Sequence, residues 1–312
     1  MNSYIDKKQQ LKNLHKEAAK LFYASLRLKE GVKGMKYFTK RKLSDEILKD
    51  FGLGFSSKSG ADLYTYFKSK GFDDEIIKES GIISYNDETG WKNKFWGRVI
   101  FPIINISGDV VGFGGRVLDD SKPKYLNSPE TLIFDKSSNL YALNKAIHSQ
   151  RPYFILCEGY MDVISLHQAG FDCAIAALGT AYTKNHAAII KRYTDNVYLT
   201  FDSDTPGINA ALRAIPICRQ AGLKCKIINM SPYKDPDEFI KNLGCEEFEK
   251  RIEEAENDFL FEARISRERC NFDNIDEKIE YYKNITSKLC NLNENEINDI
   301  LKDNYQKFDI KF

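Results

Sequence analysis

Between Tyr153 and Met230, short apolar runs alternate with segments of helical spacing, and no other stretch of the chain constrains the fold as much. The runs are Tyr153–Cys157, Cys173–Leu178, Asn196–Phe201 and Lys224–Met230. Most are rich in Val, Ile, Tyr or Phe and are bounded by Gly or acidic residues, which predicts buried strands. Met161–Ala169, Lys184–Tyr193 and Ile208–Ala221, lying between them, predict helices. Strand and helix in strict alternation predict an α/β fold, a parallel sheet with helices on both faces. Ligands of such sheets bind beyond the carboxyl ends of the strands. Glu158 follows the first strand there, Asp202 and Asp204 follow the third, and Asp235 and Asp237 lie beyond the fourth. Asp162, one helical turn after Glu158, belongs near the same edge.

Six carboxylates at one rim need a partner. Two of them about 4 Å apart repel by roughly 4 kcal/mol at an effective dielectric near 20. An all-oxygen cluster without His or Cys suits Mg2+ or Mn2+. Such ions keep positions open for phosphate oxygens, so the predicted chemistry is metal-assisted phosphoryl or nucleotidyl transfer. Some of the same residues also have a purely structural reading. Asp235-Pro236-Asp237-Glu238 has the pattern of a helix start, with Asp as cap and Pro in the first position. Asp204-Thr205-Pro206 fits a turn into a helix.

An acid after the first strand (Glu158) and Asp-x-Asp after the third (Asp202-Ser203-Asp204) resemble the Toprim domain, which primases, topoisomerases and some nucleases share. The flanks narrow the resemblance. Arg98-Val99-Ile100-Phe101-Pro102-Ile103, Val111-Gly112-Phe113-Gly114-Gly115-Arg116-Val117, Pro123 to Thr131, and Glu158-Gly159-Tyr160-Met161-Asp162 together resemble the bacterial DNA primase core. That likeness implies a Toprim sheet over 151–245, preceded by a basic α+β subdomain over 1–150 and followed by a small helical bundle over 246–312. It implies templated synthesis of RNA primers, with Glu158, Asp202 and Asp204 catalytic and two or more Mg2+ or Mn2+ ions. Asp162, Asp235 and Asp237 would hold or orient further metal. Arg98, Arg116, Lys124, Asn127 and Lys136 match positions near the template and nucleotide groove. The implied partners are single-stranded DNA, the RNA primer and nucleoside triphosphates, with an alarmone such as guanosine tetraphosphate as inhibitor. The family's zinc ribbon and helicase-binding domain do not fit within these residues, so neither zinc nor the replicative helicase is expected to bind here. Another Toprim enzyme, a topoisomerase or nuclease, is the alternative. A non-catalytic single-strand-binding module is a third reading, and the retained acids oppose it because they repel a DNA backbone.

Charge supports a division of labour. The formal net charge is only +1, yet residues 1–150 carry 25 Lys and Arg against 18 Asp and Glu, and residues 151–312 carry 21 against 27. One half suits a polyanion and the other suits cations. The seven cysteines contain no Cys-x-x-Cys and predict reduced thiols in a cytoplasmic protein. No apolar run approaches the roughly 18 residues of a membrane span.

The rest of the chain predicts scaffold. Leu11, Leu14, Ala18, Leu21, Phe22 and Leu26 lie on one face of a helix over Tyr4–Glu30. Ser44 caps a short helix to Asp50, and Gly71 separates Ala61–Lys70 from Asp73–Ser80. Val99–Ile106 and Val110–Phe113 predict a strand hairpin. Gly112, Gly114 and Gly115 allow either close approach of a ligand or a bulge. Asp119–Asn139 reads as a polar loop carrying Lys122, Lys124, Tyr125 and Lys136. Glu246–Ser266, Glu277–Cys290 and Glu294–Tyr305 predict three helices. His15, His148, His167 and His186 have no zinc-ligand spacing and are expected at the surface or in packing.

Overall fold

The computed structural model describes residues 2–179, 181–290, 292, 294, 297, 298 and 300. The chain divides into two compact units, residues 1–151 with 157–189, and residues 152–156 with 190–312.

The first unit is organised by helix α1 (Asn2–Leu26). Its Leu11, Leu14, Ala18, Phe22 and Leu26, three or four residues apart, are all buried. Burying each large side chain stabilises the unit by about 1.5–3 kcal/mol relative to exposure. The lysines on other faces of α1 are not all left to solvent. Lys7 Nζ lies 2.7 Å from carboxylate oxygens of Glu75 and Glu79, and Lys12 Nζ lies 2.7 Å from Asp109.

A single 3₁₀ turn over Lys29–Gly31 leads into α2 (Val32–Lys40) and α3 (Asp45–Asp50). Ser44 Oγ accepts the Ile47 N–H at 3.2 Å, as its position before α3 predicts. Strand β1 (Gly54–Phe55) precedes α4 (Gly60–Ser69) and α5 (Asp74–Glu79). Strands β2 (Ile83–Asn86) and β3 (Gly90–Asn93) form a hairpin whose first pair beyond the turn is Asn86 with Gly90. Strands β4 (Arg98–Ile104), β5 (Val110–Val117) and β6 (Tyr125–Asn127) join β1 in an antiparallel sheet of order β1-β4-β5-β6. Strand β6 corrects the expected loop over Asp119–Asn139. Its residues pair with Gly114, Gly115 and Arg116 at the sheet edge, a tertiary contact that outweighs the polar local sequence. A short helix α6 (Leu143–Ala146) ends this stretch.

Strand β7 (Phe154–Cys157) crosses the division between the units, its last residue falling in the first. Helix α7 (Tyr160–Gln168) and strand β8 (Ala174–Ala176) follow it in the first unit. The Tyr141 N–H donates to the Ala176 carbonyl at 2.8 Å, and the Phe51 ring meets His167 edge-on at 5.1 Å. The Gln168 side chain accepts from Ser44 N–H and donates to the Lys42 carbonyl. These contacts explain why 157–189 packs with the first unit although the boundary was expected at 150/151. Helix α8 (Lys184–Lys191) leads on to the second unit.

The second unit carries β9 (Asn196–Thr200), α9 (Thr205–Gln220) and β10 (Lys224–Ile227). Helix α10 (Pro236–Glu253), strand β11 (Glu256–Asn257), α11 (Asp258–Arg269) and α12 (Ile275–Cys290) follow. The strands of this unit lie in the order β11-β10-β9-β7. β9 and β10 are parallel, in register from Asn196 with Lys224 to Leu199 with Ile227. This is the parallel pairing predicted from the alternation, and both α9 and α11 contact β10. The helix expected over Glu246–Ser266 is interrupted. Glu256 and Asn257 pair antiparallel with Ile227 and Lys226, and Asn257 then caps α11 by accepting the Phe259 N–H at 2.8 Å. Phe259, Leu260, Ala263 and Ile285 bury a small core between α11 and α12. Of the helix expected over Glu294–Tyr305, residues 294, 297, 298 and 300 are described and the remainder lies outside the described residues. Among the described residues no helix is long and apolar enough to cross a membrane.

Candidate active site

In the second unit, the end of β9 delivers Asp202 and Asp204. Asp204 is the N-cap of α9, and its Oδ1 accepts the Gly207 N–H at 3.1 Å. That leaves Oδ2, which lies 3.2 Å from Lys234 Nζ. Asp202 Oδ2 lies 3.0 Å from the same ammonium. The hydrogen bond from Gly207, then the charge of Lys234, holds the Asp204 carboxyl below its usual range. The two carboxylates raise the lysine in turn. Gly207 is required here, since a Cβ would stand 2.1 Å from the Asp202 carbonyl oxygen.

The loop after β10 supplies the other two acids. Asp235 caps α10, with Oδ1 accepting the Glu238 N–H at 2.8 Å, while Glu238 Oε2 accepts the Lys234 N–H at 2.9 Å. This is the helix start that Asp235-Pro236-Asp237-Glu238 spells. Burial raises the Asp235 pKa, and the charges of Asp237 and Asp202 raise it further. Asp237 is buried, and Lys241, one turn on, reaches its Oδ2 at 2.6 Å. A cavity of about 260 Å³ adjoins Asp202, lined in part by Gly207, Ile228, Met230 and Arg264.

The first unit holds Glu158 and Asp162. Glu158 is exposed, just past the end of β7. Asp162 is buried in the first turn of α7, where its Oδ2 accepts the Gly159 N–H at 3.2 Å. Its carboxylate therefore shapes the backbone next to Glu158.

Among the described residues no group of three or more His, Cys, Asp or Glu is arranged to hold a metal ion. Asp162, Asp204 and Asp235 each accept a backbone N–H at a helix start and Asp237 is in an ion pair, and within the second unit Asp202 and Asp204 converge on one cation. An oxygen pair of this kind suits Mg2+, which commonly takes one or two carboxylates and completes its shell with water and phosphate. The ammonium of Lys234 marks the point on which they converge.

The basic residues of the first unit separate by environment. Arg98 is buried, and its Nη1 donates to the carbonyls of Gly115 at 3.2 Å and Pro123 at 3.0 Å. It ties β4 to β5 and to the segment that carries Lys124. Asn127 is likewise engaged. It accepts from the Tyr160 hydroxyl at 2.7 Å and donates to the Leu178 carbonyl at 2.9 Å. Arg116 differs: its guanidinium lies 4.5 Å from the Tyr37 ring centre and 5.9 Å from that of Tyr125. Its Nη1 donates to the Val117 carbonyl at 3.0 Å, but its Nε is buried with no hydrogen bond among the described residues. Lys124 is exposed. Lys136 sits in a 3₁₀ turn whose backbone is held by buried His186. His186 Nδ1 accepts the Thr183 N–H at 3.2 Å, so Nε2 carries the proton it donates to the Lys136 carbonyl at 2.8 Å.

The glycines of Val111–Val117 do not open space for a ligand, while a register shift does fall beside Gly112, where Ile103 pairs with Gly112 and Ile104 with Val110. Rings and chains of the protein itself take the space. A Cβ on Gly114 would stand 2.4 Å from Tyr160, one on Gly115 2.7 Å from Phe95, and one on Gly112 3.2 Å from Phe134. Tyr160 also stacks on Phe101 at 4.9 Å and meets Tyr141 edge-on at 4.6 Å. Sequence reasoning missed Lys234, whose partners lie some thirty residues upstream. It also missed the Tyr37 ring beneath Arg116.

Residues 21–147 match the family described as DNA primase catalytic core, N-terminal domain, and residues 155–240 match a Toprim-like family. A DNA primase of Clostridium acetobutylicum is 41% identical over 305 residues, which are 97% of this chain and 50% of the relative. The chain spans about half the length of the curated relatives it matches. A structure of the DnaG primase catalytic domain bound to ssDNA superposes with a TM-score of 0.78 at 32% identity, covering 88% of each chain. The zinc-binding and RNA polymerase domains of Aquifex aeolicus primase give 0.80 at 28% identity, covering 98% of this chain and 74% of that one.

Proposed function

The chain belongs to the bacterial DNA primase family, and on that premise we propose that it is a catalytic core making short RNA primers on single-stranded DNA in the cytoplasm. The observation that carries the proposal is the convergence of Asp202 Oδ2 and Asp204 Oδ2 on one cation at the start of α9. In the reaction, a 3′-hydroxyl attacks the α-phosphorus of a nucleoside triphosphate and pyrophosphate leaves. Glu158, Asp202 and Asp204 are assigned as the acids that hold divalent ions. Mg2+ or Mn2+, when bound, supplies Lewis-acid activation of the hydroxyl and neutralises phosphate charge.

The remaining roles follow from the contacts. Asp204 stays ionised because Gly207 and Lys234 favour its charged form. Asp162 fixes the turn that presents Glu158, and the Asp237–Lys241 pair steadies the start of α10 beside Asp235. Arg116, whose guanidinium lies 4.5 Å from the Tyr37 ring centre and 5.9 Å from that of Tyr125, is suited to a phosphate of the triphosphate. Lys124 and Lys136 add positive charge for template or triphosphate. Arg98 and Asn127 act as positioning residues, since their polar atoms are engaged inside the unit. An alarmone of the guanosine tetraphosphate type would compete for the same cations and basic groups.

A labelled-ribonucleotide assay on a single-stranded template tests this. RNA products that require Mg2+ or Mn2+ and vanish in EDTA are expected. Strand cleavage or covalent attachment to DNA, without RNA synthesis, would instead identify a nuclease or topoisomerase. DNA binding unaffected by EDTA and without incorporation would leave only a binding module.

A further inference from the structure

We propose that Lys234 is the resident counter-ion of the Asp202–Asp204 pair, which a divalent ion must displace, so that this lysine sets the metal concentration at which the site fills. The inference rests on the reading of Asp202 and Asp204 as metal ligands. Three features of the loop support it. First, the ammonium lies against the Oδ2 atoms of both carboxylates, at 3.0 and 3.2 Å, and those are the atoms a shared cation needs. Second, the backbone around the lysine is clamped to the acid loop independently of its side chain. Ser203 N–H donates to the Lys234 carbonyl at 2.8 Å, Ser203 Oγ to the Tyr233 carbonyl at 3.0 Å, and Lys234 N–H to Glu238 Oε2 at 2.9 Å. Third, the Lys234 side chain is 56% exposed. It can therefore swing into water while its backbone keeps the acids and α10 in place.

Without a cation, Asp202 and Asp204 would repel each other and splay the start of α9. Lys234 relieves that repulsion with a single charge. A divalent ion brings twice the charge and can be bonded directly by both oxygens, so it displaces the ammonium instead of sharing the pocket with it. The balance makes the site responsive to metal concentration, where an unopposed acid pair would simply saturate.

The experiment measures Mn2+ binding to the full chain by electron paramagnetic resonance. In Lys234→Met the Mn2+ dissociation constant should fall roughly two- to tenfold, the range expected for losing two exposed ion pairs. Lys234→Arg keeps the charge and should stay near the parent value. Lys250→Met, which removes a lysine paired with Glu247, should change nothing. Melting temperatures check folding, and Lys234→Gln repeats the test with a polar side chain. Mn2+ binding that is unchanged or weaker in both Lys234→Met and Lys234→Gln overturns the proposal.

A second readout separates competition at the site from a general charge effect. Acetylation of the Lys234 amine, followed by mass spectrometry, should speed up when Mg2+ is added, because the amine is released from the acids. Equal reactivity with and without Mg2+ overturns displacement. Asp202→Asn/Asp204→Asn distinguishes the two levels of the argument. If Mn2+ binding survives in that variant, the metal-ligand reading falls and the counter-ion falls with it. If binding is lost there but the Lys234 variants bind as the parent does, only the counter-ion role is lost.

Discussion

The two units handle charge in opposite ways. In the first, three polar groups of the sequence motifs are engaged by the unit itself: Arg98 by backbone carbonyls, Asn127 by Tyr160 and Leu178, and Arg116 by the Tyr37 ring. In the second, the motif acids stand at helix starts, where N–H groups and lysines satisfy them. The first arrangement derives its order from packing and tolerates little change of volume. The second derives its order from electrostatics, so it should respond to metal and charge while the fold persists. A motif residue can therefore be indispensable for either of two unrelated reasons.

Variants test that contrast, beginning with the largest effect. Asp202→Asn/Asp204→Asn should lower metal-dependent RNA synthesis roughly 100-fold or more, the loss of several kcal/mol of charge stabilisation. Its urea midpoint should stay close to the parent value, since Asn caps a helix as well as Asp does. Unfolding of this variant would break the contrast.

The first unit should instead show its dependence on burial through pH. His15 is fully buried, donates from Nε2 to the Ser80 carbonyl, and has its pKa pushed down to about 4 by desolvation. The unfolded chain takes up a proton near the ordinary pKa of about 6.5, while the folded chain resists it until about pH 4. Stability is therefore full above the unfolded value and falls as pH drops between the two, by about 3 kcal/mol at most. Denaturation of His15→Gln at pH 7 and pH 4.5 should show a smaller loss than the parent; an equal loss would assign the acid sensitivity elsewhere.

Gly114→Ala should cost about 1–3 kcal/mol in urea unfolding, because the new methyl collides with the Tyr160 ring. A neutral result would show that this packing yields more easily than the geometry indicates. Asp235→Asn is the gentlest test. It should alter stability by less than about 0.5 kcal/mol, since the cap survives. Mn2+ affinity should weaken, and an unaltered value would remove Asp235 from the electrostatic group.

Much of this was legible in the sequence because periodicity and punctuation are local. The four strand runs and the helices between them sit within a few residues of their predicted places, and Ser44, Asp204 and Asp235 cap as their neighbours imply. What escaped depends on side chains distant in the chain. The glycines of β5 are reserved for Tyr160, Phe95 and Phe134, which no spacing rule connects to them. Strand β11 is only two residues long and exists because β10 offers it an edge. Arg98 looks in sequence like any other basic residue near a nucleotide motif, and only its burial shows that the backbone claims it.

Tyr160 has a practical consequence for recombination among relatives. It lies in the Toprim-like segment, yet its ring fills the space above Gly114 and its hydroxyl holds Asn127, both in the segment matched to the other family. A chimera cut near residue 150 from two homologues would inherit this three-residue joint from different parents. Exchange between them should succeed only when glycine, asparagine and tyrosine travel together.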